Sequence, residues 1–309
     1  MSEEMFTYQA APYMPQVDTR LTMPSPIWPD FNHESPASQR MTRAKRLNDE
    51  NFWSEMREVF NHDFNTLPLE RYKAWASTFM VPIMSRNKPS EYIALALGDA
   101  NSNERVRDAI TEPLVGMTIE DFNAHYRVFD DSLMTMNRIF HYGHLKYFAQ
   151  GIPSHEFNTE VTGYLKNIKR IVEIGAGAGE MADVCRQLGF EGEYIIYDFK
   201  ELTNIQQWFH EKRGHKNTKY VHDVNDLEPA DLCIATWSLT EMPIADRAAV
   251  MQKLGATKDW IVTYSDSIFG MDNDNWIMND FLPRFEARTT SIQPFWDNES
   301  KYVFVRHTT

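Results

Sequence analysis

Ile171-Val172-Glu173-Ile174-Gly175-Ala176-Gly177-Ala178-Gly179-Glu180 is an apolar run holding one acid that passes into three glycines spaced two apart. The β-branched Ile171, Val172 and Ile174 suit a strand covered on both faces of a parallel sheet. Gly175, Gly177 and Gly179 can take positive φ and carry no Cβ, so a ligand can lie directly against the backbone at the sheet's carboxyl edge. The next helix is expected to begin near Ala178 and to carry Met181, Val184 and Leu188. The plain alternative is a tight strand-to-helix turn that binds nothing.

Further strands follow in alternation with helices. Residues 193–197 read as a second strand ending in Asp198, an acid suited to two ribose hydroxyls; at about 20 residues past a glycine turn it serves any nucleoside ligand equally. Residues 219–222 form a third strand before Asp223-Val224, and 231–236 a fourth that opens into Trp237-Ser238-Leu239-Thr240-Glu241-Met242-Pro243. A helix at about 244–254, a strand at 260–264 ending in Ser265-Asp266, and a helix at about 273–286 come next. Residues 288–293 and 302–306 alternate about a turn-like Asp297-Asn298-Glu299-Ser300, which reads as a hairpin. A dinucleotide-binding G-x-G-x-x-G needs glycine at 180, where Glu180 stands, and such folds usually end on another parallel crossover. Both points disfavour NAD.

The first half is different in kind. Residues 1–45 hold Pro12, Pro15, Pro24, Pro26, Pro29 and Pro36 without a sustained period, which predicts an extended or disordered segment. Helical patterns cover about 47–62, about 69–80 with Tyr72, Trp75 and Phe79 on one side, and about 101–110. Asp131 suits the N-cap of a helix over 132–150, with Leu133, Met136, Ile139, Phe140 and Leu145 as its apolar set and Gly151 and Pro153 as its stop. Another helix at about 155–166 leads into the first strand. The chain therefore divides into a segment 1–45, a helical cap 46–153, and an α/β domain 154–309.

With 309 residues, 42% of them hydrophobic and 13% aromatic, there is material for a large core. Net charge is −13, from 44 acids against 31 bases, and no basic run occurs, so nucleic acid is not an expected partner. The longest apolar run, near 92–97, is far short of the roughly 20 residues that cross a membrane. Cys185 and Cys233 lack a C-x-x-C partner and read as small core residues of a reduced, cytoplasmic protein. The start carries no apolar stretch of signal-peptide type.

The arrangement E-x-G-x-G-x-G at 173–179 resembles motif I of the class I S-adenosylmethionine-dependent methyltransferases. Tyr194-Ile195-Ile196-Tyr197-Asp198, Gln206-Gln207-Trp208, Ser238-Leu239-Thr240-Glu241-Met242 and the stretch 137–145 narrow the resemblance to the sugar O-methyltransferase family, over about 60–305. It implies a Rossmann-like sheet, mostly parallel with a C-terminal antiparallel hairpin, beneath an N-terminal helical cap. It also implies S-adenosylmethionine as cofactor and a small carbohydrate-containing acceptor, and it leaves homo-oligomerisation open. Glu173, Gly175, Ala176, Gly177 and Gly179 would serve the methionine end, Asp198 and Phe199 the ribose side, and Asp223 and Val224 the adenine, with Thr236 and Trp237 beside them. Where that family often has Leu-Pro after the acid, this chain has Phe199-Lys200, which alters the ribose-side wall.

A hydroxyl needs a positioned base or a metal to become a nucleophile. Glu241, just past the fourth strand, is the candidate base; its alternative is a helix N-terminal acid ahead of Pro243. His141 and His144 share a helix face, and His144 is the imidazole assigned to the acceptor, against ordinary packing for either. Asp266 would bind substrate or cap a turn. Trp237 would stack on a ring or form a buried lid, and Trp276 and Trp296 have no better claim than packing. No spacing specifies a metal site.

Overall fold

Alternation of buried apolar residues fixes the sheet. Ile171 packs into the apolar layer on one side, and Val172 and Ile174 pack into the layer on the other. The computed structural model describes residues 52–70, 72–73, 90–120, 122, 128–129, 133–150, 161–285, 288–294 and 300–307. The expectations for 1–45, for Trp75 and Phe79, for Asp131 and for Trp296 lie outside these residues.

The strands of the main sheet are β1 Arg170–Ile174, β2 Glu193–Tyr197, β3 Thr218–Val221, β4 Leu232–Thr236, β5 Asp259–Ser265, β6 Thr289–Pro294 and β7 Ser300–Arg306. In space they run β6-β7-β5-β4-β1-β2-β3. Strands β1 to β5 are mutually parallel, and β7 lies antiparallel between β5 and β6. This is the Rossmann-like, mostly parallel sheet with a C-terminal hairpin that the resemblance implies. The order reverses between β1 and β4, the crevice where open α/β sheets bind ligands.

The helices are α1 Phe52–Thr66, α2 Ser90–Ser102, α3 Glu104–Ile110, α4 Met136–Gln150, α5 Val161–Asn167, α6 Glu180–Gln187, α7 Lys200–Lys212, α8 Ser238–Glu241, α9 Ile244–Leu254 and α10 Asn273–Trp276. One apolar layer joins Ala96, Val106, Ile139, Phe140 and Leu165 to Met181 and Val184 of α6 and to Ile171, Ile234 and Phe304 of the sheet. The opposite layer joins Val250 and Leu254 of α9, Trp276, Phe281 and Phe285 to Val172, Cys233, Val262 and Val303. A smaller cluster seats Phe52, Met56 and Phe60 of α1 against Leu202 and Ile205 of α7.

The helix α2 is one that the sequence reading did not foresee, and α1 runs to Thr66 past its expected end near 62; three further boundaries differ for a plain reason. The helix expected from 132 starts at Met136, because Met134–Thr135 pairs with Val128–Phe129 and Leu133 sits at φ 57°. The helix expected near Ala178 starts at Glu180, because Gly177 and Gly179 are held at φ 55° and 82°. The helix expected over 273–286 widens at Ile277–Phe281 and tightens at Leu282–Phe285, where Pro283 supplies no amide hydrogen.

Candidate active site

The glycine turn is shaped by neighbours as much as by any ligand. Gly175 lies at φ 68°, and a Cβ there would run into Ser238, whose hydroxyl donates to the Ile174 carbonyl. A Cβ on Gly179 would sit 3.0 Å from His210 Nε2 and 3.3 Å from Gln206. Both positions therefore exclude side chains on backbone and steric grounds.

Around this turn opens a cavity of about 730 Å³, within the range of small-molecule sites. Glu173, Gly175, Ala176 and Gly177 line it, together with Asp198 and Phe199 after β2 and Thr236, Trp237 and Glu241 after β4. So the sheet gathers most of the predicted residues at one crevice. Gly179 does not line it; it backs onto His210, whose Nε2 is 2.8 Å from the Gly179 carbonyl. Asp223 is exposed and caps a short turn by accepting from the Asn225 amide at 2.8 Å, and neither it nor Val224 borders the cavity. Tyr197 and His222 stand there instead.

Asp198 is tied in by two hydrogen bonds. The Phe199 amide donates to it at 2.7 Å and Gln206 Nε2 at 2.8 Å, while Gln206 Nε2 also donates to the Gly177 carbonyl at 2.9 Å. Burial pushes Asp198 up to about 6 against these hydrogen bonds. Burial likewise lifts Glu173 to about 8, although Tyr194 donates to it at 2.7 Å, so Glu173 is largely a neutral carboxyl at pH 7.

Glu241 differs from both. Among the described residues no hydrogen bond or ion pair reaches its carboxylate, and burial alone pushes it up to about 7. Trp237, four residues earlier, is held at φ 65°, a conformation rare for a bulky side chain, by donating its amide to the Thr263 carbonyl at 2.9 Å and to Thr263 Oγ1 at 3.0 Å. Phe269, also on the cavity, has φ 51°.

His144 does not line the cavity. It is fully buried, shares a 2.6 Å hydrogen bond between its Nδ1 and the Tyr302 hydroxyl, and lies edge-on to Trp237. One turn earlier, His141 does line it; burial pushes that imidazole down to about 4, outweighing Glu180. Asp266 pairs with Lys301 at 2.9 Å, and Trp276 packs under Arg247 and against Phe281. Among the described residues no group of three His, Cys, Asp or Glu side chains converges as a metal site would require.

Trp53 and Arg57 reach the cavity from far along the chain and carry no motif, and Asn137 reaches it from the start of the stretch 137–145, which assigned it no role. Arg57 pairs with Glu201 and lies 5.0 Å from the Phe199 ring centre, placing α1 at the cavity mouth. Asn137 arrives through a desolvated ion cluster behind the turn. There Lys73 bridges Glu112 at 2.8 Å and Glu180, Arg138 meets Asp183, Arg213 meets Asp183 at 2.9 Å, and Asn137 Nδ2 donates to Glu180. Three cations balance three anions, and Lys73 and Arg138 hold Glu180 below the usual carboxylate range despite its burial.

No family model matches the chain, and no curated protein does. Among solved structures it resembles precorrin-6y C5,15-methyltransferase from Geobacter metallireducens GS-15, at 12% identity over 51% of this chain and 94% of that one, with a TM-score of 0.35. It also resembles magnesium protoporphyrin IX methyltransferase from Synechocystis PCC 6803 with bound SAM, at 15% identity over 66% and 97% of the two chains, TM-score 0.41. Mitomycin 7-O-methyltransferase matches at 11% identity over 89% and 70%, TM-score 0.43. Likenesses this slight decide nothing about the chemistry, which rests on the residues of this chain.

Proposed function

We propose that the protein is an S-adenosylmethionine-dependent methyltransferase that places a methyl group on a hydroxyl of a sugar or sugar-bearing small molecule. The observation that carries the reading is Glu241, a half-buried carboxyl without a partner among the described residues, in the same cavity as the bare glycine turn and Asp198. A general base works best with a pKa near the working pH, and burial brings Glu241 there.

The cavity residues suit the cofactor. Gly175, Ala176 and Gly177 offer open backbone to the methionine end, and Asp198 retains lone pairs for ribose hydroxyls beside the Phe199 ring. Tyr197 and His222, which line the cavity where Asp223 and Val224 do not, are the candidates for the adenine. When bound, the cofactor supplies a methyl group on a sulfonium, and its transfer is an in-line displacement for which the protein mainly provides alignment. Glu241 accepts the proton of the acceptor hydroxyl as the oxygen attacks. Trp53 and Phe269 line the cavity with aromatic side chains and Ser54, Arg57 and Asp246 with polar ones, a mixture that suits a carbohydrate.

We take residues 46–153 as a cap over the α/β domain 154–309, because α1 packs on α7 at the cavity mouth. Two buried free cysteines accord with a cytoplasmic setting. Among the described residues no helix is long and apolar enough to cross a membrane.

The test is incubation of the purified protein with methyl-labelled S-adenosylmethionine and a fractionated cell extract. Label in a base-stable, small carbohydrate fraction supports the reading. Label on amines or peptides points to nitrogen as acceptor, and no label at all points to a non-catalytic cofactor-binding protein.

A further inference from the structure

The ion cluster leaves two polar atoms over. Asn137 and His141 stand four apart on α4, so they share a face, and both line the cavity. Each is more than nine-tenths buried, and among the described residues Asn137 Oδ1 and His141 Nδ1 have no hydrogen-bond partner. A buried polar atom left unpaired costs about 1–3 kcal/mol, and these two sit on residues that line one cavity, where a single ligand group can pair with both.

The chemistry of each atom is fixed by its surroundings. Asn137 donates its amide hydrogens to Glu180, an ionised carboxylate, so its Oδ1 is the acceptor that remains. It calls for an N–H or O–H donor. His141 stays neutral at physiological pH because burial, Arg138 and Lys73 oppose its charge more than Glu180 favours it. In the tautomer with hydrogen on Nδ1 it offers a donor.

Position narrows the ligand group. Glu180 is the first residue of α6, directly after the glycine turn, so Asn137 lies beside that turn. Asp198 follows β2, the strand next to β1, and takes the nucleoside in the reading above. The group facing α4 is then the opposite end of the same ligand.

We propose that Asn137 and His141 form an uncharged clamp for the α-amino acid end of S-adenosylmethionine, with Asn137 Oδ1 accepting from the ammonium and His141 Nδ1–H donating to the carboxylate. This rests on the cofactor reading. It assigns to α4 a recognition role that the glycine motif does not contain, and it separates His141 from the acceptor chemistry of Glu241.

The test compares two probes by calorimetric titration of the full chain. S-adenosylhomocysteine carries the amino-acid end; 5′-methylthioadenosine carries the adenosine and thioether without it. His141→Phe and Asn137→Ala are each expected to weaken S-adenosylhomocysteine roughly 10- to 100-fold, the range for a hydrogen bond to a charged group, while 5′-methylthioadenosine changes less than about twofold. Parallel losses for both probes, or no loss for either, overturn the clamp. Asn137→Ala also strips a donor from Glu180; if it does not fold, His141→Phe decides alone, since it removes no hydrogen bond seen among the described residues. Failure of the wild-type protein to bind either probe is distinct: it overturns the cofactor reading, and the clamp with it.

Discussion

The two walls of the cavity are assembled by different means. On the glycine-turn side, Glu173 to Gly177, Asp198-Phe199 and Thr236-Trp237 each lie at or just past the carboxyl end of a parallel strand, and the sheet register brings them together. On the helix side, Trp53, Asn137, His141 and Phe269 come from distant segments held by aromatic packing and by ion pairs without solvent. Strand-end sites need only the sheet, whereas the helix side depends on contacts whose loss leaves charges buried.

The largest effect should fall on that dependence. Arg138→Met takes from Asp183 its fully buried cation, leaving it only the part-exposed Arg213, and from Glu112 the second of two, and is expected to cost about 3–5 kcal/mol in urea denaturation. Arg170→Met removes half-exposed pairs with Glu193 and Glu228 and should cost at most about 1 kcal/mol. Equal losses would break the contrast between the buried ion pairs behind the helix side and the exposed ones along the strands.

Next comes Glu241. Glu241→Gln should lower turnover about 10²- to 10⁴-fold, the usual contribution of a general base, while leaving S-adenosylhomocysteine affinity unchanged. In the wild type, kcat/KM should rise with pH and level off above about 7, where the carboxyl is ionised. Stability should run the other way. A carboxyl raised from 4.5 to about 7 contributes fully below pH 4.5, and that contribution is lost as pH rises through 7. Glu241→Gln should therefore be more stable than wild type at pH 8, by about 1–3 kcal/mol allowing for partial exposure, in paired thermal melts.

Gly175→Ala tests the turn itself. A side chain at φ 68° directed at Ser238 should cost about 1–3 kcal/mol and weaken S-adenosylhomocysteine measurably. The smallest effect should be Asp223→Asn, which keeps the cap on a turn away from the cavity; titration should show less than a twofold change in affinity. A large loss there would return Asp223 to the adenine site and redraw the glycine-turn wall.

Much of the first wall was legible in the sequence, because β-branched strands ending in glycine or an acid carry their site with them. Thr236 at the end of β4, and Asp198, Phe199, Trp237 and Glu241 just past a strand, all reach the cavity. Asp223 and Val224 do not, since β3 stops at Val221 and the chain turns back at once, leaving His222 at the rim. The second wall was not legible. His141 and His144 have the same spacing and apolar neighbours, and only the packing of α4 against α6 and β7 turns one to the cavity and the other to Tyr302. The ion pairs of Lys73, Arg138 and Glu180 have no local signal, because their partners lie 39 to 107 residues away.

A crystal structure of the protein grown with S-adenosylhomocysteine tests the central claim most directly. The account predicts the ribose hydroxyls on Asp198, the homocysteine end over Gly175 to Gly177, and the sulfur turned toward Glu241. A cavity that stays free of the nucleoside at saturating concentration, or a thioether facing away from Glu241, would contradict it.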